Sequence, residues 1–583
     1  MKRSWRTLLL VVCGLALFAA GWLWWNSPQQ VEMDAYVPQD SLIYLEADSL
    51  PEVLSAIGST DAWRTLAPAA GVRQDFTRVG WLTSFARWTG IGSAESVVFA
   101  RAQVAVAVLG VDAKEEQQSL ALNVSPRLVV VVETHTGGSR ARQAIERVVG
   151  DFTRRAYGSP KFEQSDHAGT HYAVWTAPSG GKKITAAVSG SAAFIGNDEA
   201  AVQTCLSAWR GERASLASDP ELAGMRRRVG GDDADALVFG YVPQASAPKV
   251  TQIAALVVAG SSQADAREQS ALATVLPQLA GRVLGGAAWS TKVVHGSFED
   301  DYYFALPSQL VARLSVALEA SPERAFKTAD FIPSDAHQVT RYSFAEPIET
   351  WRGVNAVVSS QLDPTFAPFA SAFLDKSLKP FGIESPRDFL PALGSEIATA
   401  RLGEEGDDLI LVAAARDEAK LRELIKKRLG AKVKVERVGD AEMLVSPDPE
   451  LGAASVFGGH VILGSEDGVR RCLEAHFSGR TLADSDAFKK PLASALQDDA
   501  PPVTTLTDER EKALRFVTLL APRASRGANA PDASSLARAI ASLPYSLTVT
   551  RLKADGFERT TISPSGLIGD VALQFAPEAQ SGK

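Results

Sequence analysis

The sequence predicts an α+β protein: an N-terminal transmembrane helix followed by two tandem homologous α+β repeats with antiparallel sheets. Three observations carry that expectation. An uncharged apolar run opens the chain. Four pairs of segments then recur in one order, and each recurring unit mixes alternating strands with amphipathic helices.

The run extends from Leu8 to Trp25, 18 residues, at the short end of what a helix needs to cross a bilayer. Lys2, Arg3 and Arg6 precede it, and Glu32 and Asp34 follow. Trp22, Trp24 and Trp25 close it where an interfacial aromatic belt would lie. Cations before the run place residues 1–30 as a cytoplasmic stub and anchor and send the rest across. The rival reading is a signal peptide cut near Ala19-Ala20-Gly21. It would leave Trp22-Leu23-Trp24-Trp25 at the new terminus, and the run is longer than a usual signal core. Cys13 follows the bulky Val12 and lies too early in the run for lipid attachment.

A chain of 583 residues exceeds a single core, and its 22% charged content is that of a globular protein. Net charge is −8, and −11 once the three leading cations are set aside. Such an acidic body is a poor partner for nucleic acid, whose affinity comes from Lys and Arg on phosphates.

The repeat is read from paired segments. Tyr36 to Asp48 and Phe331 to Ser343 both open aromatic, β-branched, Pro, polar, Asp, and then alternate. Ala186 to Trp209 lies over Ala454 to His476: Gly190 matches Gly458 and Gly196 matches Gly464, each 268 positions apart. In both copies two short strands meet at Gly, the residue a tight hairpin turn needs. Asn197 or Ser465 then caps a helix with acids at its positive end. Its inward face is Val202, Cys205, Leu206 and Trp209, or Val469, Cys472, Leu473 and His476.

Arg127 to Glu133 and Asp408 to Ala414 are strands that precede helices, stopped at Gly150 and Gly430. Trp289 to Pro307 parallels Leu547 to Pro564 as strand, turn, Phe-Glu, strand. The expected domains are residues 34–310 for the first repeat and 311–330 for a linker. Residues 331–566 form the second repeat and 567–583 a tail. Ala521 to Ser535 reads as a small-residue loop.

The opening Pro-x-Asp before a strand, and the strand, Gly, acidic pair, helix, Leu-Ala-x-Asp segments beginning at Ile195 and Leu463, resemble bacterial membrane-anchored proteins grouped as domain of unknown function 3352. The resemblance covers most of the chain beyond the anchor. It implies an envelope protein with one N-terminal anchor, in the inner membrane, with its bulk outside the cytoplasm. It carries over no catalytic residue.

The residues themselves bring no catalytic constellation forward. Cys205 and Cys472 stand at matching positions on inward helix faces and read as core, with a disulfide open only if the two helices approach closely. His167 and His171 have the spacing of a zinc pair, but Gly169 between them and the strand after them place a turn there. Asp40 and Asp335 read as turn residues, and Glu299 and Glu558 as solvent-facing strand residues. Arg226-Arg227-Arg228 reads as a helix end. No phosphate loop, dinucleotide fingerprint or nucleophile elbow is present, so no catalytic, cofactor or metal residue is assigned.

The expected function is a non-enzymatic binding or scaffolding module of the envelope. It would meet the membrane through its N-terminal helix and partner envelope proteins, peptides or lipids. The alternatives are an anchored hydrolase with a site in one copy, involving His167, His171 or His295, and a subunit of an envelope complex.

Overall fold

The computed structural model describes residues 30–71, 98–99, 101–115, 122–233, 235–261, 275, 278–362, 367–403, 408–495, 501–524 and 533–574. Its framework is one antiparallel sheet. The first ten strands are β1 (Ile43–Ala47), β2 (Gln103–Glu115), β3 (Leu122–Glu133), β4 (Lys161–His167), β5 (Thr170–Thr176), β6 (Lys183–Ser189), β7 (Ala192–Gly196), β8 (Val238–Val242), β9 (Ala287–Val294) and β10 (Ser297–Ala305). The last ten are β11 (Gln338–Ser343), β12 (Leu393–Arg401), β13 (Leu409–Ala415), β14 (Lys434–Val438), β15 (Ala441–Val445), β16 (Ala453–Phe457), β17 (His460–Gly464), β18 (Val503–Thr507), β19 (Ser546–Lys553) and β20 (Gly556–Ser563).

The hydrogen-bonded order is β4-β5-β6-β7-β3-β2-β1-β8-β9-β10, then β20-β19-β18-β11-β12-β13-β17-β16-β15-β14. The second half therefore runs through the scheme of the first in reverse. The halves meet where β10 pairs with β20 over eight residues, from Phe298↔Ser563 to Ala305↔Gly556.

This corrects the expected fold class. The described residues hold no spanning helix, and the two halves, expected as separate antiparallel sheets, form one large antiparallel sheet with helices, an α+β arrangement. None of their helices is long and apolar enough to cross a membrane. The run from Leu8 to Trp25 lies outside the described residues. The joining of the halves has a simple cause. β10 and β20 would each end a half with a row of unpaired N–H and C=O groups, and pairing removes both edges. The edges that remain, β4 and β14, carry Lys161 and Glu163, and Lys434 and Glu436, charges that discourage further strand addition.

Helices cover both faces. β3 is apolar at every position from Leu128 to Val132 because each face is buried. Val129 and Val131 pack with Cys205 and Leu206 of helix Glu199–Trp209, while Val132 packs with Ala141 and Ile145 of helix Gly138–Tyr157. In β13, Ile410 and Val412 meet Cys472 and Leu473, and Leu411 and Ala413 meet Leu421 and Ile425.

The turn chemistry explains the recurring motifs. Gly190 and Gly458 turn their hairpins at φ 61° and 59°, in the left-handed region. Pro38 bridges to Ser215 and Pro333 to Thr481, tying each strand entry to the residue before Leu216-Ala217 or Leu482-Ala483. Two local expectations change. Asp198 caps helix Glu199–Trp209 by accepting from Ala201 N, while Asn197 bonds Leu128 N and the Pro126 carbonyl. Helix Gly138–Tyr157 continues through Gly150 and ends at Gly158, because its buried face continues to Thr153.

Candidate functional site

Beside the joint of β10 and β20 lies a cavity of about 630 Å³, walled by residues between 221 and 307 of the first half and by Asp555 of the second. Helix Leu222–Arg228 supplies Met225 and Arg228, β10 supplies Tyr303 and Ala305, and the turn between β19 and β20 supplies Asp555. Leu284, Leu306 and Pro248 make the apolar part of the wall.

Asp555 is the pivot. Its Oδ1 accepts from Arg228 Nη1 at 2.8 Å, and its Oδ2 accepts from Arg228 Nη2. The Tyr303 hydroxyl lies 2.8 Å from Oδ1 and 2.9 Å from the Asp555 carbonyl, which also accepts from Leu306 N. The Arg228 guanidinium stands 4.7 Å from the centre of the Tyr303 ring. The bonded guanidinium holds the Asp555 carboxyl below the usual carboxylate range. Burial, then the bond to Asp555, pushes the Tyr303 hydroxyl above its ordinary value. An apolar wall with one charged, hydrogen-bonding side can seat an apolar side chain and orient the polar backbone beside it.

Arg226, two residues earlier, turns into the core. It pairs with Glu46, which also accepts from Tyr44, and lies 3.7 Å from Asp34 and 4.2 Å from the Phe239 ring centre. Burial raises the Asp34 carboxyl although Arg226 pulls it down. The other half reverses the sign at this place: Glu46 pairs in register with Ala105, and Arg341 in register with Ala398. Fully buried Arg341 lies 3.5 Å from Glu396 and donates to the carbonyls of Glu323 and Ala325 at 3.0 Å. A buried pair of either polarity is costly to break and holds one arrangement of its neighbours.

The remaining candidates separate cleanly. His167 ends β4 and His171 lies in β5, on either side of a turn at Ala168 (φ 48°) and Gly169 (φ 76°), so no helix face unites them. His171 is buried, with Nδ1 2.8 Å from Asp166 Oδ1 and Nε2 2.7 Å from Glu146 Oε1. Both ring nitrogens face carboxylates, which leaves neither to take a proton from a nucleophile. Glu146 was missed because helix Gly138–Tyr157 brings it across 25 positions, whereas Asp166 stood in plain view beside His167. His295 sits in the turn between β9 and β10 at φ 49°.

Asp40 pairs with Arg213 at 2.5 Å and Asp335 with Arg471 at 3.3 Å, so the two carboxylates work apart. Glu558 reaches Lys553, and Glu299 is half-buried against Lys292 at 3.1 Å, where solvent was expected. Cys205 and Cys472 are free and buried in separate cores, and burial pushes each thiol up to about 12. Among the described residues no group of three or more His, Cys, Asp or Glu side chains is placed to hold a metal ion.

No family model, curated protein or solved structure matches the chain. The resemblance to domain of unknown function 3352 therefore rests on the turn and cap residues alone.

Proposed function

We propose that the protein is a non-enzymatic binding or scaffolding module of the bacterial envelope, with its body outside the cytoplasm and a peptide segment of an envelope partner as its ligand. The observation that carries this reading is the cavity at the β10–β20 joint, half apolar, with Arg228, Asp555 and Tyr303 on one side. The location is supported by the three cations that precede the apolar run. His171 lends the hydrolase alternative no support, since both its nitrogens are engaged.

A photoreactive amino acid at Leu284, in the full chain in its native cells, tests the reading. Adducts to a discrete partner at Leu284, and none at the exposed Val435 of edge strand β14, are expected. Equal labelling at both positions, or no adduct at Leu284, would overturn it.

A further inference from the structure

Alternate residues of a strand point to opposite faces, so β10 directs Tyr303 into the joint cavity and Asp300 and Tyr302 to the other side. There a second cavity, of about 370 Å³, has a different chemistry. Its wall takes Thr505, Thr548, Thr561 and Asp300 from a row of polar residues in register across six strands. The row runs Thr340, Thr505, Thr548, Thr561, Asp300 and Thr291, on β11, β18, β19, β20, β10 and β9. Glu509 and Lys512, at the start of helix Arg510–Ala524, and Asp570 of helix Gly566–Gln574 stand above it.

The row is not spent on itself. Thr340 and Thr505 share one hydrogen bond at 3.1 Å, and Thr548 and Thr561 share another at 3.0 Å. Each pair has two O–H hydrogens and uses one between its members, so each keeps a donor as well as acceptor lone pairs. Thr505, Thr548 and Thr561 line the cavity, so both members of the second pair and one of the first border it.

Lys512 and the three carboxylates, in contrast, are engaged. Lys512 pairs with Asp570 and, at 2.9 Å, with Glu509, and Glu509 also accepts from Ser546. Asp300 is 2% exposed and accepts from Thr291 at 2.7 Å and from Leu567 N at 2.9 Å. Arg559 stands at the rim, 5.9 Å from the centre of the Tyr302 ring. A cation would have to break these pairs, and an anion drawn to Arg559 would also face the carboxylates of Asp300, Glu509 and Asp570. A neutral ligand with hydroxyls of its own would meet donors and acceptors together, beside an aromatic ring.

We infer that this cavity is a binding site for a small neutral polyhydroxylated molecule, of mono- or disaccharide size. Its volume suits such a ligand. The site lies on the opposite face from the joint cavity, so it stands or falls independently of the peptide reading.

The experiment titrates the full chain with N-acetylglucosamine, trehalose and glycerol, and with inorganic phosphate and spermidine as charged comparators. Calorimetry and saturation-transfer NMR read the binding. At least one neutral probe binds, Thr548→Val weakens it about tenfold, and the charged comparators are silent. Thr548→Ser, which keeps the hydroxyl, retains binding and separates loss of the hydroxyl from a folding defect. Three outcomes overturn the inference: no neutral probe binds, Thr548→Val binds as tightly as the parent, or phosphate or spermidine binds and is weakened by Thr548→Val.

Discussion

Arg228 and Asp555 stand 327 positions apart in the chain and meet in a two-pronged ion pair beside the β10–β20 joint. Neither is deeply buried, with side-chain exposures of 42% and 43%. Solvent screening therefore keeps the pair's worth at about 1 kcal/mol or less. A double-mutant cycle with Arg228→Ala and Asp555→Ala, followed by urea unfolding, should return that coupling at low salt and less of it in high salt. The Asp555 carboxyl is held low, so this contribution is present above the unfolded carboxylate value near ~3.9 and is lost as pH falls through the folded value.

Asp300 behaves the opposite way. Burial raises its carboxyl to about 6, although Thr291 and Leu567 N pull it down. Between the unfolded value and about 6 the folded state binds the extra proton, so stability attributable to Asp300 rises as pH falls through that window. Asp300→Asn should flatten that gain, by up to roughly 2–3 kcal/mol, when parent and variant are unfolded at pH 4.5 and pH 7.5. Identical pH dependence in the two proteins would show that the carboxyl is not strained by burial.

The thiols give a chemical test of the two cores. With both pushed up to about 12 and both buried, Cys205 and Cys472 should resist a thiol reagent in the folded body and react once it is unfolded. Fast reaction of either in the native state would place its helix face outward.

Gly196 and Gly464 end their hairpins where a neighbouring strand passes closely. A Cβ at Gly196 would stand 2.8 Å from the Leu128 carbonyl, and one at Gly464 would stand 2.7 Å from the Leu409 carbonyl and against Ile410. Alanine at either site should cost about 1–3 kcal/mol by overpacking. Gly181→Ala, with nothing within 4 Å, should change stability little. Thermal unfolding of the three variants makes the comparison.

Much of the local structure was legible because turns and burial leave short-range marks. Gly190 and Gly458 mark hairpins, Ser465 marks a cap, and the cysteines mark inward faces, each within a few residues of the element it shapes. Gly150 misled because a helix buried along one face tolerates an internal glycine that local stop signals would end on. The β10–β20 pairing left no mark of this kind. Alternation in Phe298 to Phe304 says only that a strand exists, and its partner lies about 250 positions away. The candidate sites were hidden for the same reason. The threonine row assembles through strand register, while Tyr303 with Asp555 and Glu46 with Arg226 join a strand to a distant turn or helix, and no short-range pattern marks either.

That pairing is the central claim, since it brings Asp555 to the first cavity and Asp300 and Tyr302 to the second. Native-state hydrogen exchange measures it directly. If they are joined, the inward amides of Ser297–Ala305 and Gly556–Ser563 should exchange as slowly as those of interior strands β3 and β13, and far more slowly than the free edges β4 and β14. Exchange of β10 and β20 at the rate of β4 and β14 would contradict it, leaving two separate sheets with no shared site between them.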